Sequence, residues 1–198
     1  MGELHYGSYG GTREVGSGVK QYYGDATVWD DLQGSLINKK LYSTAGKLDY
    51  NWDENAIAMQ PGGDISNKND RLCFNYQYPH GAVNIDGVMN LHIHWEQATA
   101  DNIEWTVQYR LQPIGGEKAT DWTTVTANSH DNSVFEYASG TIHQVTALCS
   151  VDMDSMSMSS IVQFRLARTD NVAININALY IDAHVKIDMA GSREEYQK

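Results

Sequence analysis

The sequence has little cysteine, little proline and no long apolar run. Its 198 residues contain two cysteines, Cys73 and Cys149, which lie far apart and form no CxxC pattern. Neither a disulfide framework nor a zinc ribbon is therefore indicated, and we expect reduced thiols. No segment approaches the ~20 apolar residues of a membrane helix, and residues 1–16 contain no apolar signal-peptide core. We expect neither a membrane span nor export by this route.

Basic side chains are also scarce. The chain has 14 Lys and Arg residues against 25 Asp and Glu residues, which gives a formal net charge of -11. A net charge of this sign repels nucleic-acid phosphates and anionic lipid headgroups. We therefore expect no nucleic-acid partner and no membrane partner.

Helical periodicity is missing, whereas alternation with a period of 2 is common. Between Ile103 and Leu111, apolar and polar residues alternate without a break, which is typical of a half-buried strand. Leu91, Ile93 and Trp95 alternate with two histidines just before a polar connection. These two segments predict an antiparallel hairpin with Trp95 and Trp105 on one face.

Further strands are predicted wherever apolar residues alternate between turn signals. The long C-terminal pattern changes parity after Ile176, which predicts a β-bulge near residues 177 and 178. Eight or nine strands separated by turns favour an all-β protein, an antiparallel β-sandwich or jelly roll. The predicted strands, besides the hairpin and a strand that begins near residue 27, are residues 71–78, 122–126, 134–137, 142–150, 161–168 and about 174–187.

The N-terminal segment has a different composition from the rest. Residues 1–27 hold seven of the 17 glycines together with four tyrosines, and such a segment buries too little surface to order itself. We predict two parts, an extended N-terminal docking arm over residues 1–27 and a β-sandwich domain over residues 28–198. Residues 38–70 are expected to be a loop-rich connection with one or two short strands.

The most specific candidate for chemistry is the pair His92 and His94. Residues i and i+2 of a strand point to the same face, which is the arrangement of metal-binding histidines in enzymes built on sheets. The string HIHWE resembles the paired-histidine strand of α-carbonic anhydrases and the cupin HxH motif. However, the following segment IEWTVQYRL supplies no third histidine, and Glu96 is too close to His94 for the cupin spacing.

Histidines on the polar face of a sheet are more often hydrogen-bonded structural residues than ligands. We therefore assign no catalytic, cofactor-binding or metal-binding residue and expect no stoichiometric zinc, although other histidines remain as third ligands from elsewhere in the fold. The Asp30–Asp31 pair is interpreted as a turn or cap, and the methionines among the serines of residues 151–160 as core or interface filling. The other histidines are His80, His130, His143 and His184, and the methionines are Met153, Met156 and Met158.

Several strings resemble, in order, a family of tailed-bacteriophage virion proteins that are called tail fibre, head fibre or structural proteins. The resemblance covers residues 28–198 with long unmatched stretches, and Leu91 stands where the family often has proline. The strings are VWDDL at Val28–Leu32, FNYQYPHG at Phe74–Gly81, NLHIHWEQ at Asn90–Gln97, IEWTVQYRL at Ile103–Leu111 and IDAHVKIDMAGSREEYQK at Ile181–Lys198.

The resemblance implies an antiparallel β-sandwich that assembles into virions, often as a trimer, with no enzymatic role. On this basis we expect a virion structural protein, assembled in the host cytoplasm, that contacts copies of itself and other virion proteins through its arm. Two alternatives stay open. One is a metal-dependent enzyme of carbonic-anhydrase or cupin type that uses His92 and His94; the other is a module that binds glycans, such as those of a host surface, through Trp29, Trp52 or Trp122.

Overall fold

The computed structural model describes most of the chain, with gaps. The described residues are 11–14, 20–23, 28–34, 46–51, 53–80, 82, 87–134, 143–154, 156–157, 159–187 and 189–190. They form thirteen strands, and none of them is helical. Accordingly, this part of the chain contains no helix that could span a membrane. The strands are β1 (Gly11–Glu14), β2 (Lys20–Tyr23), β3 (Val28–Gly34), β4 (Leu48–Asn51), β5 (Ala56–Met59), β6 (Leu72–Gln77), β7 (Val88–Glu96), β8 (Glu104–Gln112), β9 (Thr123–Asn128), β10 (Gln144–Asp152), β11 (Ile161–Arg168), β12 (Ile176–Ile187) and β13 (Met189–Ala190).

Two antiparallel sheets form the β-sandwich, which confirms the predicted fold class. The first sheet has the order β10-β7-β12-β5-β4, and β3 also pairs with β12. The second sheet has the order β6-β11-β8-β9. In strands such as β6 and β7 every second residue is buried, and the buried side chains of the described strands form one hydrophobic core.

The long strand β12 is central to the first sheet. One side of it pairs with β7 over most of its length, while the other side pairs first with β5 and then with β3. The pairing with β7 shifts between Ala178 and Tyr180, so the predicted bulge is present close to the expected position. Leu179 lies at this bulge and is only partly buried, because the core-facing parity changes there.

The predicted hairpin of the segments around Trp95 and Trp105 is wrong. Strand β7 belongs to the first sheet and β8 to the second, so the polar connection between them crosses from sheet to sheet. Both tryptophans are nevertheless fully buried, and their rings meet edge to face with centroids 5.8 Å apart. They contact each other across the core instead of sharing one sheet face.

One ion pair is buried at the edge of this core. The side chain of Arg168 at the end of β11 is fully buried, and Asp170 binds its guanidinium through two hydrogen bonds of 2.9 and 2.8 Å. The remaining N–H groups donate to backbone carbonyls of Met59, Val172 and Ile174. The guanidinium thus connects β5, β11 and the loop before β12 with all of its donors paired.

Strands β1 and β2, which lie within the predicted arm, form a hairpin, and β2 also pairs with β13 near the end of the chain. Every strand of the two sandwich sheets begins at Val28 or later. Strands β4 and β5 are the short strands expected in residues 38–70. Of the predicted strand over residues 134–137, Val134 is not in a strand, and the rest lies outside the described residues.

Candidate functional site

Four titratable side chains meet on the outer face of the first sheet. Along β7, Leu91 and Ile93 point into the core. His92 and His94 alternate with them and therefore point outward. On β12, Asp182 pairs in register with His92, and His184 follows two residues later on the same face. Antiparallel pairing places these four side chains side by side, although about 90 residues of sequence separate the two strands.

The carboxylate of Asp182 lies at the centre of this group. Its Oδ2 is 3.0 Å from Nε2 of His184, and its Oδ1 is 3.3 Å from Nε2 of His94 and 4.0 Å from Nδ1 of His92. The same nitrogen of His184 is also 3.0 Å from Oδ1 of Asp31 on β3. Three adjacent strands therefore contribute to one cluster. We call His92, His94, Asp182, His184 and Asp31 the histidine–aspartate cluster.

Within the cluster, burial decreases from Asp182 through His184 to Asp31. Asp182 is only 5% exposed, although it lies on the outer face, whereas the side chain of His184 is 34% exposed and that of Asp31 is 58% exposed. Nδ1 of His92 is buried without a hydrogen-bond partner, and buried Oδ1 of Asp182 has only its contact with His94 at 3.3 Å, which does not have hydrogen-bond geometry. An unpaired buried polar atom costs about 1–3 kcal/mol, so hydrogen bonding alone does not account for this arrangement.

Burial lowers the pKa of His92, and the neighbouring His184 lowers it further. Burial on its own raises the pKa of Asp182, but contact with His94 and the nearby imidazoles outweigh it, so that this pKa is lowered. Burial, followed by the charges of Asp182 and Asp31, raises the pKa of Tyr180. At neutral pH the cluster therefore contains a neutral imidazole at His92 beside an ionised carboxylate at Asp182.

A fourth histidine extends the cluster along the sheet. Nδ1 of His94 and Nε2 of His143 are 2.7 Å apart, so one nitrogen donates a hydrogen bond and the other accepts it. Burial lowers the pKa of His143, and His94 lowers it further. The ring of Tyr180 meets His94 edge to face. These contacts hold the His94 ring against Asp182.

The structure brings together His92, His94, His143 and His184, but not the remaining two histidines proposed as third ligands. His80 contacts Ser159 Oγ, and His130 contacts the carbonyl of Ala100. Asp31 was interpreted as part of a turn or cap; instead it lies in β3 and faces His184. Asp182 is a site residue that was not predicted from the sequence. Its only signal is the D-x-H pattern of Asp182 and His184 on the polar face of the strand.

The reason given for expecting no metal is therefore incorrect. A third ligand was sought on the segment that follows β7, but β8 belongs to the other sheet, and the neighbour of β7 is β12. Strand β12 supplies both a carboxylate and an imidazole. His92, Asp182 and His184 each offer one ligand atom, and these atoms lie within 4.8 Å of one another.

Other residues named from the sequence have different surroundings. Met153 and Met156 are buried in the core, as expected for filling residues, and Met158 lies outside the described residues. The ring of Trp122 is in contact with the guanidinium groups of Arg110 and Arg165, which lie 4.3 and 3.8 Å from its centroid. The ring is thus already engaged in cation–π contacts. The side chains of Trp29 and Trp52 lie outside the described residues.

Comparison with known proteins finds only weak structural similarity. No family model and no curated protein sequence matches the chain. A structure of dimeric latent PorU from Porphyromonas gingivalis is 12% identical over 82% of this chain and 13% of that chain, with a TM-score of 0.33. A structure of infectious bursal disease virus, Gx strain, is 10% identical over 70% of this chain and 33% of that chain, with a TM-score of 0.31. This chain thus spans a minor part of either protein, and we draw no functional conclusion from these similarities.

Proposed function

We propose that this chain is a structural component of a tailed-bacteriophage virion, a β-sandwich that assembles with copies of itself and with other virion proteins. The proposal rests on the positions of the strings that resemble the phage virion family. Their described residues lie mainly on β3, β6, β7, β8 and the second half of β12, which are framework strands of both sheets. Strands β3, β12 and β7 are moreover adjacent in the first sheet. The resemblance thus follows the framework of one domain instead of scattered loops.

The described surface of the sandwich supports assembly through another part of the chain. Among the described residues, Val134 is the one large hydrophobic side chain that is exposed. An obligate interface usually has an apolar centre, and this part of the surface does not offer one. We therefore assign the main contacts with partners to the N-terminal segment.

The hairpin in this segment has a geometry suited to that role. In the described residues, β1 pairs with β2 on one side only, so its other edge presents unpaired backbone groups. An exposed edge strand is a template to which a strand of another chain can be added. Residues 11–14 would then join copies of the chain, or the chain and another virion protein, through backbone hydrogen bonds.

Deletion of residues 1–27 tests this proposal, because every strand of the two sandwich sheets begins at Val28 or later. We expect the full chain to be a homo-oligomer, a trimer by the resemblance, and the deleted chain to be a folded monomer. Light scattering measures the mass of each form, and circular dichroism with a thermal melt checks the fold. A monomeric full chain, or a deletion variant that keeps the oligomeric mass, would refute the assembly role of the arm.

The glycan-binding alternative gains no support from Trp122, because two arginines already contact its ring. A virion role is compatible with an ion bound at the histidine–aspartate cluster.

A further inference from the structure

The histidine–aspartate cluster contains more ligand atoms than a hydrogen-bonded network needs. Nδ1 of His92 and Oδ1 of Asp182 are buried and lie 4.0 Å apart. Nδ1 has no hydrogen-bond partner, and Oδ1 has only the contact with His94 at 3.3 Å, which does not have hydrogen-bond geometry. His92, Asp182 and His184 each offer one ligand atom within 4.8 Å of the others. An unoccupied lone pair on a buried carboxylate, next to a buried imidazole nitrogen, is the arrangement expected where a cation bridges the two.

We propose that His92, Asp182 and His184 bind a divalent transition-metal ion of the zinc class. In such a site, metal–ligand bonds of about 2.0–2.2 Å place neighbouring donor atoms roughly 3–3.5 Å apart. Oδ2 of Asp182 lies 3.0 Å from Nε2 of His184, and Oδ1 of Asp182 lies 4.0 Å from Nδ1 of His92. Both separations are close to this requirement. Small side-chain rotations therefore complete the site without moving β7 relative to β12.

The donor set selects the class of ion. Two imidazoles and one carboxylate suit zinc, cobalt, nickel or copper, whereas magnesium and calcium favour sites made of oxygen atoms. Nε2 of His184 now contacts the Asp182 carboxylate at 3.0 Å. On binding, the ion replaces this contact, and His184 coordinates through Nε2 as the tautomer that carries its ring proton on Nδ1. The side chain of His184 is more exposed than that of His92, so the ion can enter the site past His184.

The surrounding groups support the ligands. His94 lies 3.3 Å from Oδ1 of Asp182 and is itself held by His143 at 2.7 Å. Asp31 contacts the same nitrogen of His184 from β3. His94 thus orients the Asp182 carboxylate as an outer-shell partner, which raises metal affinity, whereas Asp31 faces the nitrogen of His184 that would bind the ion and offers the ion a further oxygen. With three protein ligands the ion keeps an open coordination position, and it links β7 and β12 through side chains in addition to the backbone ladder.

The test uses the full chain without an affinity tag, after treatment with a chelator and dialysis. Isothermal titration with zinc chloride should give one ion per chain, and cobalt(II) should give the visible absorption spectrum of a low-coordinate site with nitrogen ligands. His92→Ala and Asp182→Asn should each weaken zinc binding by on the order of a hundredfold or more. The matched control is His130→Ala, which removes a histidine of the described loop after β9 and should leave zinc binding unchanged. Magnesium chloride should give no binding.

Histidine ring resonances of the unmodified chain provide a readout that does not depend on the variants folding. Zinc should shift the ring signals of His92 and His184 and leave that of His130 in place. The proposal is overturned if the unmodified chain binds no stoichiometric zinc, or if the folded His92→Ala and Asp182→Asn variants bind it normally. It is also overturned if His130→Ala lowers the affinity to the same extent, or if the ring signals of His92 and His184 do not respond.

Discussion

Replacing Asp170 by alanine should cause a large loss of stability, because the side chain removed is the only carboxylate in contact with the Arg168 guanidinium among the described residues. The guanidinium is fully buried and donates two hydrogen bonds to the Asp170 carboxylate. Removal of one partner from a buried ion pair typically costs about 3–5 kcal/mol, since the other charge stays buried without compensation. For a chain of this size, 1 kcal/mol corresponds to about 2–4 °C in melting temperature. We therefore expect Asp170→Ala to lower the melting temperature by roughly 6–20 °C.

Asp53→Ala is the matched control, since Asp53 is an exposed carboxylate in a turn. Its free energy of unfolding should change by less than about 0.5 kcal/mol. Asp170→Asn should give an intermediate loss, because the amide keeps one acceptor for Arg168 but removes the negative charge. Scanning calorimetry and urea unfolding measure all three variants. If Asp170→Ala and Asp53→Ala melt at the same temperature, the Arg168 pair does not stabilise the fold as argued.

Two further predictions concern the core and the thiols. Trp105→Ala should unfold or aggregate the chain, because loss of a fully buried tryptophan costs about 3–5 kcal/mol. Gln108→Ala on the outer face should be tolerated. Equal melting temperatures of the two variants would show that the strand parity is wrong. Burial raises the pKa of Cys149 to about 12, so at pH 8 only about one in ten thousand of its side chains is the reactive thiolate. A thiol reagent should therefore modify the exposed Cys73 first, and equal rates for both cysteines in the native chain would contradict this.

The strands could be predicted because their signal is local. Alternating burial depends on residues i and i+2, and β11 spans residues 161–168 as the alternation indicated. In β8, Trp105 and Val107 are fully buried as predicted, while Tyr109 is only partly buried further along the strand. Local alternation therefore indicates which face of a strand is buried, but not how far along the strand the core extends.

The pairing of strands could not be predicted, because it depends on contacts between distant residues. The polar segment after β7 fits a hairpin loop and a crossover between sheets equally well, and only the core decides between them. The candidate site could be predicted only in part for the same reason. His92 and His94 were recognised from their spacing, but the residues beside them come from β12. Asp182 occupies a polar-face position in the pattern, and nothing in its own strand indicates that it is buried.

Arg168 was another residue whose role was hidden by the pattern. It continues the parity of the buried Phe164 and Leu166, so it lies on the core side of β11. A charged residue at such a position usually marks the point where a strand leaves the core. Here Asp170, two residues later, allows the charge to stay inside, and R-x-D spacing of this kind carries no distinctive sequence signal.

The position of β12 in the first sheet has a consequence for biosynthesis. This strand pairs with β3, β5 and β7, all of which precede it in the chain. While the ribosome is still making residues 176–187, those three strands have no neighbour on the side that β12 will occupy. Unpaired strand edges in incomplete chains promote association between molecules. The nascent chain therefore completes its first sheet only after residues 176–187 have been translated, and a protein truncated before β12 should accumulate in the insoluble fraction of its host.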